Sequence, residues 1–139
     1  TAVAGLDGPT MLAPAGGRSV YVSETAGGRV TRVDVATGAR SVVVAGLDQP
    51  EGLAVAPGGA LVVAEVGRAR LVSLDPRSGA LATLRDGLPI GFWPVPDIPQ
   101  VYIPTGVAVG RDGDVYFTSD VTASLHRLRG ARLAGGGVS

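Results

Sequence analysis

Three polar residues occupy equivalent positions in this 139-residue sequence. Thr10, Glu51 and Thr105 each follow a proline and precede a short, mainly apolar run. A carboxylate such as Glu51 can bind a cation or exchange a proton, whereas a threonine hydroxyl donates and accepts hydrogen bonds. Any ionic chemistry at this position therefore depends on Glu51 and on the groups around it.

The other recurring acidic residues indicate structure. Glu24 and Glu65 each stand five residues before an arginine, and the pair recurs with the repeat, which predicts ion pairing within each unit and a modest surface contribution. A third unit has serines at the two corresponding places, so the pair is either dispensable there or displaced to Asp120. The only histidine, His126, has no neighbours in the sequence that would form a catalytic triad with it, and a structural role is expected.

Composition excludes several classes of function. The chain has no cysteine, so thiolate metal sites, cysteine nucleophiles and disulfides are absent. Its formal net charge is zero and its basic residues are all scattered arginines, which predicts no nucleic-acid partner and no anionic membrane surface. The sequence has no apolar run near the length of a membrane span.

A repeat positions these residues. Shifting the chain by 41 residues aligns "AGLDGPTMLAPAGGRSVYVSE" with "AGLDQPEGLAVAPGGALVVAE", and "PTGVAVGRDGDVYFTS" aligns with the second copy at an offset of 54. Each unit has short runs rich in valine, leucine and tyrosine between glycine turns, which predicts four strands. In the second unit the strands are expected near 52–56, 60–65, 70–75 and 80–85. A four-stranded repeat of this length is typical of a β-propeller blade.

We therefore predict an all-β chain, a β-propeller of four-stranded antiparallel blades with three blades present, which is half of a six-bladed ring. The chain is expected to be one propeller segment, 1–139, with blades at approximately 7–47, 48–88 and 104–139. Residues 1–6 resemble the end of a fourth strand and are expected to close the last blade, in the same chain or in a partner. Residues 89–103 are an inserted loop.

The stretch "GLDQPEGLAVAPGGALVVAEVGRARLVSLDPRSG" is similar to blades of NHL-repeat propellers and of the related SMP-30/gluconolactonase and strictosidine-synthase-like proteins. With "GLPIGFWPVPDIPQVYIPTGVAVGRDGDVYFTSD", the chain most resembles the propeller family encoded with scytonemin biosynthesis. The resemblance covers roughly residues 3–130. It implies a ring of six blades and makes an extracellular or periplasmic location more plausible than a cytoplasmic one.

Three blades in an arc leave two apolar blade faces open to water, which predicts a partner surface. A second copy related by a twofold axis would complete six blades, and the alternative is that the missing blades lie elsewhere in a longer chain. Both alternatives stay open from the sequence.

Topology places the candidate site on one rim. The fourth-to-first and second-to-third strand loops of each blade share a rim, called here the loop rim, while the tight glycine turns share the opposite rim, the turn rim. The first strand of a blade is innermost, so Thr10, Glu51 and Thr105 are expected at the mouth of the channel. A ligand-binding role is predicted for all three.

The resemblance adds a metal hypothesis. In the SMP-30/gluconolactonase relatives, Glu, Asn and Asp at such positions hold a divalent cation that polarises a lactone carbonyl and activates water. Glu51 in "PEGL" matches that pattern, whereas Thr10 and Thr105 do not. Calcium or another divalent cation bound by Glu51 is thus one expectation, and two copies would bring two Glu51 carboxylates together. The other interpretation is a solvated rim residue or an ion pair with arginine.

The inserted loop holds four prolines and half of the six aromatic residues. Phe92, Trp93 and Tyr102 are predicted either to line a ligand pocket at the loop rim or to anchor the loop on its own blade. The sequence thus favours a binding or scaffold module for a small molecule or protein at this rim, with a metal-dependent hydrolase or lactonase as the alternative. Whether the protein is an enzyme is left open.

Overall fold

A computed structural model describes residues 2–91, 97 and 104–134, in which eleven strands form three antiparallel sheets. The first sheet has the strand order β1-β2-β3-β4. Its strands are Pro9–Pro14, Ser19–Glu24, Arg29–Asp34 and Arg40–Val44.

The second sheet repeats this order with β5-β6-β7-β8. Its strands are Pro50–Val55, Leu61–Glu65, Arg70–Leu74 and Leu81–Arg85, with a 3-10 turn at Val66–Arg68. All four lie within two residues of the predicted ranges. The third sheet consists of β9 at Val107–Val109, β10 at Val115–Ser119 and β11 at Ser124–Leu128, and no fourth strand is found in it up to residue 134.

The middle blade is apolar on both faces, which explains the uninterrupted apolar run of β6. Side chains alternate along a strand, so Leu61 and Val63 enter the cluster shared with the first blade. Val62 and Ala64 enter the cluster shared with the third blade. All four are fully buried. Each seam between blades is therefore a hydrophobic core of its own, as propeller architecture requires.

The first strands of the three blades form a row, because β1 contacts β5 and β5 contacts β9. This is the arrangement of innermost strands in a propeller. The prediction of an all-β partial propeller with three blades is confirmed. Among the described residues, no helix has the length and apolarity needed to cross a membrane.

Residues 2–6 form no strand. The Arg40 guanidinium of the first blade donates hydrogen bonds to the carbonyl oxygens of Ala4 and Gly5, the second at 2.8 Å. This segment therefore lies beside the first blade and is not a fourth strand of the third sheet in its own chain. Closure of the last blade by a partner's segment stays a prediction.

Candidate functional site

The predicted residue Thr10 belongs to a hydroxyl cluster at the seam between the first two blades. Its Oγ1 lies 2.7 Å from Oγ1 of Thr25 and 3.2 Å from Oγ of Ser23. Ser23 donates to the carbonyl oxygen of Glu51 at 2.6 Å, and Thr25 donates to that of Pro50 at 2.6 Å. The hydroxyls of the first blade thus hold the beginning of the innermost strand of the second.

Glu51 continues this connection to the third blade. Its Oε2 accepts the backbone N–H of Thr105 at 2.7 Å, and its side chain is buried, with the residue only 4% exposed. The structure therefore brings Glu51 and Thr105 together and links both to Thr10 through Ser23. The carboxylate connects two blades and is not a solvated rim residue.

Thr105 leaves one polar atom without a partner. Its residue is fully buried, and its Oγ1 has no hydrogen bond in the part of the chain that the structure describes. Buried hydroxyls are almost always satisfied by protein, water or ligand. This oxygen is an unsatisfied hydrogen-bonding position enclosed at the start of the third blade.

The described residues do not fit a divalent cation held by one chain. Within residues 2–91, 97 and 104–134, no group of three or more His, Cys, Asp or Glu side chains is placed to hold a metal. Calcium takes six to eight oxygen ligands, whereas Thr10 and Thr105 contribute no carboxylate beside Glu51. The Glu51 carboxylate acts here as a hydrogen-bond acceptor for the neighbouring blade.

Glu24 and Glu65 form the ion pairs that their spacing predicts, but they do so in the interior. Glu24 faces Arg29 across β2 and β3, and its carboxylate accepts bonds from Arg29 at 3.0 and 2.8 Å. Glu65 faces Arg70 across β6 and β7, at 2.5 Å. Both carboxylates are fully buried, so the predicted pairing is confirmed but the acids do not lie at the surface, and the size of their contribution stays a prediction. The pairs lie where the sheet meets the preceding loop, which covers the carboxylates while the arginine side chains stay partly exposed.

Each of these carboxylates also fixes the loop that precedes its own blade. Glu24 accepts the N–H of Asp7 at 2.7 Å, and Glu65 accepts the N–H of Asp48 at 3.0 Å. The bond from Arg29 is the main cause that lowers the pKa of Glu24 from 4.5 to about 2, with further lowering by Thr31 and the Asp7 amide against the opposing effect of burial. Sequence reasoning missed this role, although the same spacing from Asp to Glu occurs in both units.

In the third blade, Ser119 and Asp120 replace the glutamate. Asp120 Oδ1 accepts the N–H of Gly91 at 3.0 Å, and the Ser119 hydroxyl donates to the carbonyl of Pro89. The function of holding the preceding loop is thus displaced to Asp120.

His126 stacks on Phe117 with ring centroids 4.8 Å apart, and its Nε2 lies 2.8 Å from Oγ of Ser124. The geometry agrees with a structural histidine.

A groove of about 500 Å³ opens at the loop rim between the second and third blades. Sequence reasoning did not identify it, because it is formed by loops from both blades. The predicted ligand residues Phe92, Trp93 and Tyr102 lie outside the described residues. The groove, called here the rim groove, is lined among others by Gln49, Val66, Arg68, Leu88, Ile90 and Val121.

Comparisons with known proteins support the fold. No protein-family model and no curated protein sequence matches the chain. Among solved structures, the chain is similar to a protein of a nidogen/laminin complex with a TM-score of 0.65 and 16% identity, covering 82% of this chain and 40% of that one.

Two enzymes from bacteria are similar to a comparable degree. A gluconolactonase from Xanthomonas campestris has a TM-score of 0.64 at 20% identity, covering 86% of this chain and 43% of that one. A virginiamycin B lyase from Staphylococcus aureus has a TM-score of 0.64 at 15% identity, covering 88% and 38%. These neighbours are β-propellers, and the chain spans about two-fifths of their length. The resemblance to propeller repeats is thus confirmed at the level of the fold.

Proposed function

We propose that this chain is part of a propeller that acts as a binding or scaffold module for a small molecule or protein at the loop rim. The observation that supports this most is the rim groove. Its lining combines apolar side chains, Val66, Leu88 and Ile90, with the polar groups of Gln49 and Arg68. A concave surface that combines apolar side chains with polar groups is a common form of a ligand site.

The rim groove has a rigid frame. The 3-10 turn at Val66–Arg68 is held by hydrogen bonds from Val66 and Gly67 to the carbonyls of Gln49 and Asp48, at 3.1 and 3.0 Å. Arg68 forms an ion pair with the buried Glu65 at 2.9 Å. A site whose walls are fixed before binding loses less conformational entropy when a ligand binds.

Dye binding tests this proposal. We expect 8-anilinonaphthalene-1-sulfonate, which combines apolar rings with a sulfonate, to bind saturably, and Val121→Gln in the rim groove to weaken its affinity several-fold. Val35→Gln is the matched control, because Val35 and Val121 are 45% and 46% exposed and lie in different blades. Equal affinity of both variants and the parent protein would contradict binding in this groove.

A second candidate is the metal-dependent hydrolase. It is supported by Glu51 in "PEGL" and by the similarity of the fold to a gluconolactonase, and it requires further metal ligands from outside the described residues. Glucono-δ-lactone hydrolysis measured with added Ca²⁺ or Mn²⁺ separates the two candidates. Metal-stimulated hydrolysis that Glu51→Gln abolishes would favour the enzyme, and hydrolysis at the buffer rate favours the binding module.

The proposal includes further blades that complete the ring. Leu12 of the first blade and Leu125 of the third are 68% and 69% exposed, which is unusual for large apolar residues on such strands. Gly106 is the counterpart of Gly52. A Cβ at Gly52 would lie 2.3 Å from the carbonyl oxygen of Thr105, whereas one at Gly106 would meet only Thr118 Oγ1 at 3.4 Å. The third blade thus has a glycine, Gly106, at the position where Gly52 allows the second and third blades to pack closely.

Light scattering at low micromolar concentration distinguishes the sources of these blades. A mass twice that of the 13.9 kDa chain, lost in Gly106→Ala, would identify a second copy as the partner. A monomeric mass for both proteins would instead favour blades from elsewhere in a longer chain.

A further inference from the structure

A second concave site lies on the side of the first seam nearer the turn rim, away from the rim groove. It is a cleft of about 590 Å³ between the strands of the first blade and the turns of the second. This cleft, called here the arginine cleft, is lined among others by Tyr21, Arg32, Ser41, Val42, Pro76 and Arg77. It lies entirely within one chain, so it does not depend on ring closure.

The wall formed by the first blade is a polar row across three strands. Tyr21 on β2 faces Arg32 on β3, and Arg32 faces Ser41 on β4. Cross-strand partners of this kind point to the same side of the sheet, and here the row faces the second blade. Arg32 is exposed, although Val30, two residues earlier on the same side of β3, is buried in the seam.

Comparison with the equivalent row of the second blade shows that the polar row is specific to the first blade. The equivalent row in the second blade is Val62, Ser73 and Ala82. Val62 and Ser73 are fully buried, and the Ser73 hydroxyl accepts the N–H of Ala134 at 2.6 Å, which closes the second seam. Larger polar side chains occupy these places in the first blade, and the seam is open there.

The polar side chains of the cleft make few close contacts with their neighbours. Among the described residues, neither guanidinium has an ion pair, and the side chains of Tyr21 and Ser41 make no hydrogen bond. The nearest acid in the turn is Asp75, whose carboxylate is bound at 2.9 Å by the N–H of Arg77 and at 3.0 Å by the hydroxyl of Ser78. These bonds are the main causes that lower the pKa of Asp75, and the nearby charge of Arg77 adds a smaller effect, so the carboxylate is held mainly by its own turn.

We propose that the arginine cleft binds a small molecule through an oxyanion group, a carboxylate, phosphate or sulfate, held between Arg32 and Arg77. Guanidinium groups bind oxyanions through paired, charge-assisted hydrogen bonds. The hydroxyls of Tyr21 and Ser41 supply further donors, and Val43 and Pro76 contact an apolar part of the ligand. The site is independent of the function proposed for the loop rim.

Calorimetric titration with citrate, inorganic phosphate and sulfate tests the proposal, with sodium chloride at matched ionic strength as the reference. We expect saturable binding of at least one oxyanion and at least a tenfold loss of affinity in both Arg32→Gln and Arg77→Gln. Arg111→Gln is the control, because Arg111 is an exposed arginine in a turn of the third blade. Its affinity should equal that of the parent protein.

Backbone amide shifts in NMR spectra identify the position of binding. Gly59 and Gly79 line the cleft, and their amide signals should move with the same saturation curve as the heat. Equal heats with chloride, an equal loss in Arg111→Gln, or shifts confined to other blades would each overturn the proposal. Because all three arginines are exposed, circular dichroism should report a folded protein for every variant.

Discussion

The buried carboxylate of Glu24 allows a quantitative prediction about acid stability. It accepts hydrogen bonds from Nε and Nη2 of Arg29, from the Thr31 hydroxyl at 2.5 Å and from the Asp7 amide at 2.7 Å. We expect Glu24→Gln to lower the free energy of unfolding at pH 7 by about 2–4 kcal/mol, because the substitution removes the charge opposite Arg29 and disrupts several of these bonds.

The pH dependence follows from the lowered pKa. The pKa of Glu24 is about 2 in the folded protein against 4.5 without these contacts. The unfolded chain therefore takes up a proton first as the pH falls, and the stabilisation is complete above pH 4.5 and lost between 4.5 and 2. This pKa difference corresponds to about 3 kcal/mol at most. The parent protein should lose that much more stability over this range than Glu24→Gln does.

Urea denaturation followed by circular dichroism at pH 7, 4.5, 3 and 2.5 measures the difference. Asp34, Asp75 and Asp114 also have lowered pKa values, but they are present in both proteins and cancel in the comparison. Asp86→Asn removes an exposed carboxylate and is the control. A parallel loss of stability in the parent protein and Glu24→Gln would refute the assignment of acid sensitivity to this buried pair.

Three further predictions concern the seams. Gly52→Ala should destabilise the chain by about 3 kcal/mol at any protein concentration, because its Cβ would lie 2.3 Å from the Thr105 carbonyl oxygen. Gly106→Ala should change the free energy of unfolding of a single chain by less than about 1 kcal/mol. Thermal denaturation at two protein concentrations checks both. Ser23→Ala should cost about 1–2 kcal/mol in urea denaturation, since it leaves the buried carbonyl of Glu51 without its 2.6 Å donor. Glu51→Gln should lower the melting temperature, because the Glu51 carboxylate accepts the Thr105 amide. For the same reason, added Ca²⁺ or Mn²⁺ should leave the melting temperature of the parent protein unchanged. A metal-dependent rise that the variant lacks would show a cation site instead.

The repeat explains why the fold was predictable. A strand alternates with a period of two and a blade recurs with a fixed spacing, so local patterning was sufficient to predict the strands of the second blade and the pairing of Glu24 with Arg29 and Glu65 with Arg70. Residues that face each other across a hairpin are close in sequence, and their contacts follow from the turn between them.

Burial and shared surfaces depended on the tertiary structure. The neutral composition and the glutamate spacing contain no information on which carboxylates are enclosed, because enclosure of Glu24, Glu51 and Glu65 depends on loops and blades distant in sequence. The rim groove and the arginine cleft lie between blades for the same reason. The sequence by itself determined what each blade is, since that depends on hydrogen bonds and alternation within 41 residues. Only the packing of one blade on the next decided which polar groups became buried hydrogen-bonding links and which remained exposed to a ligand.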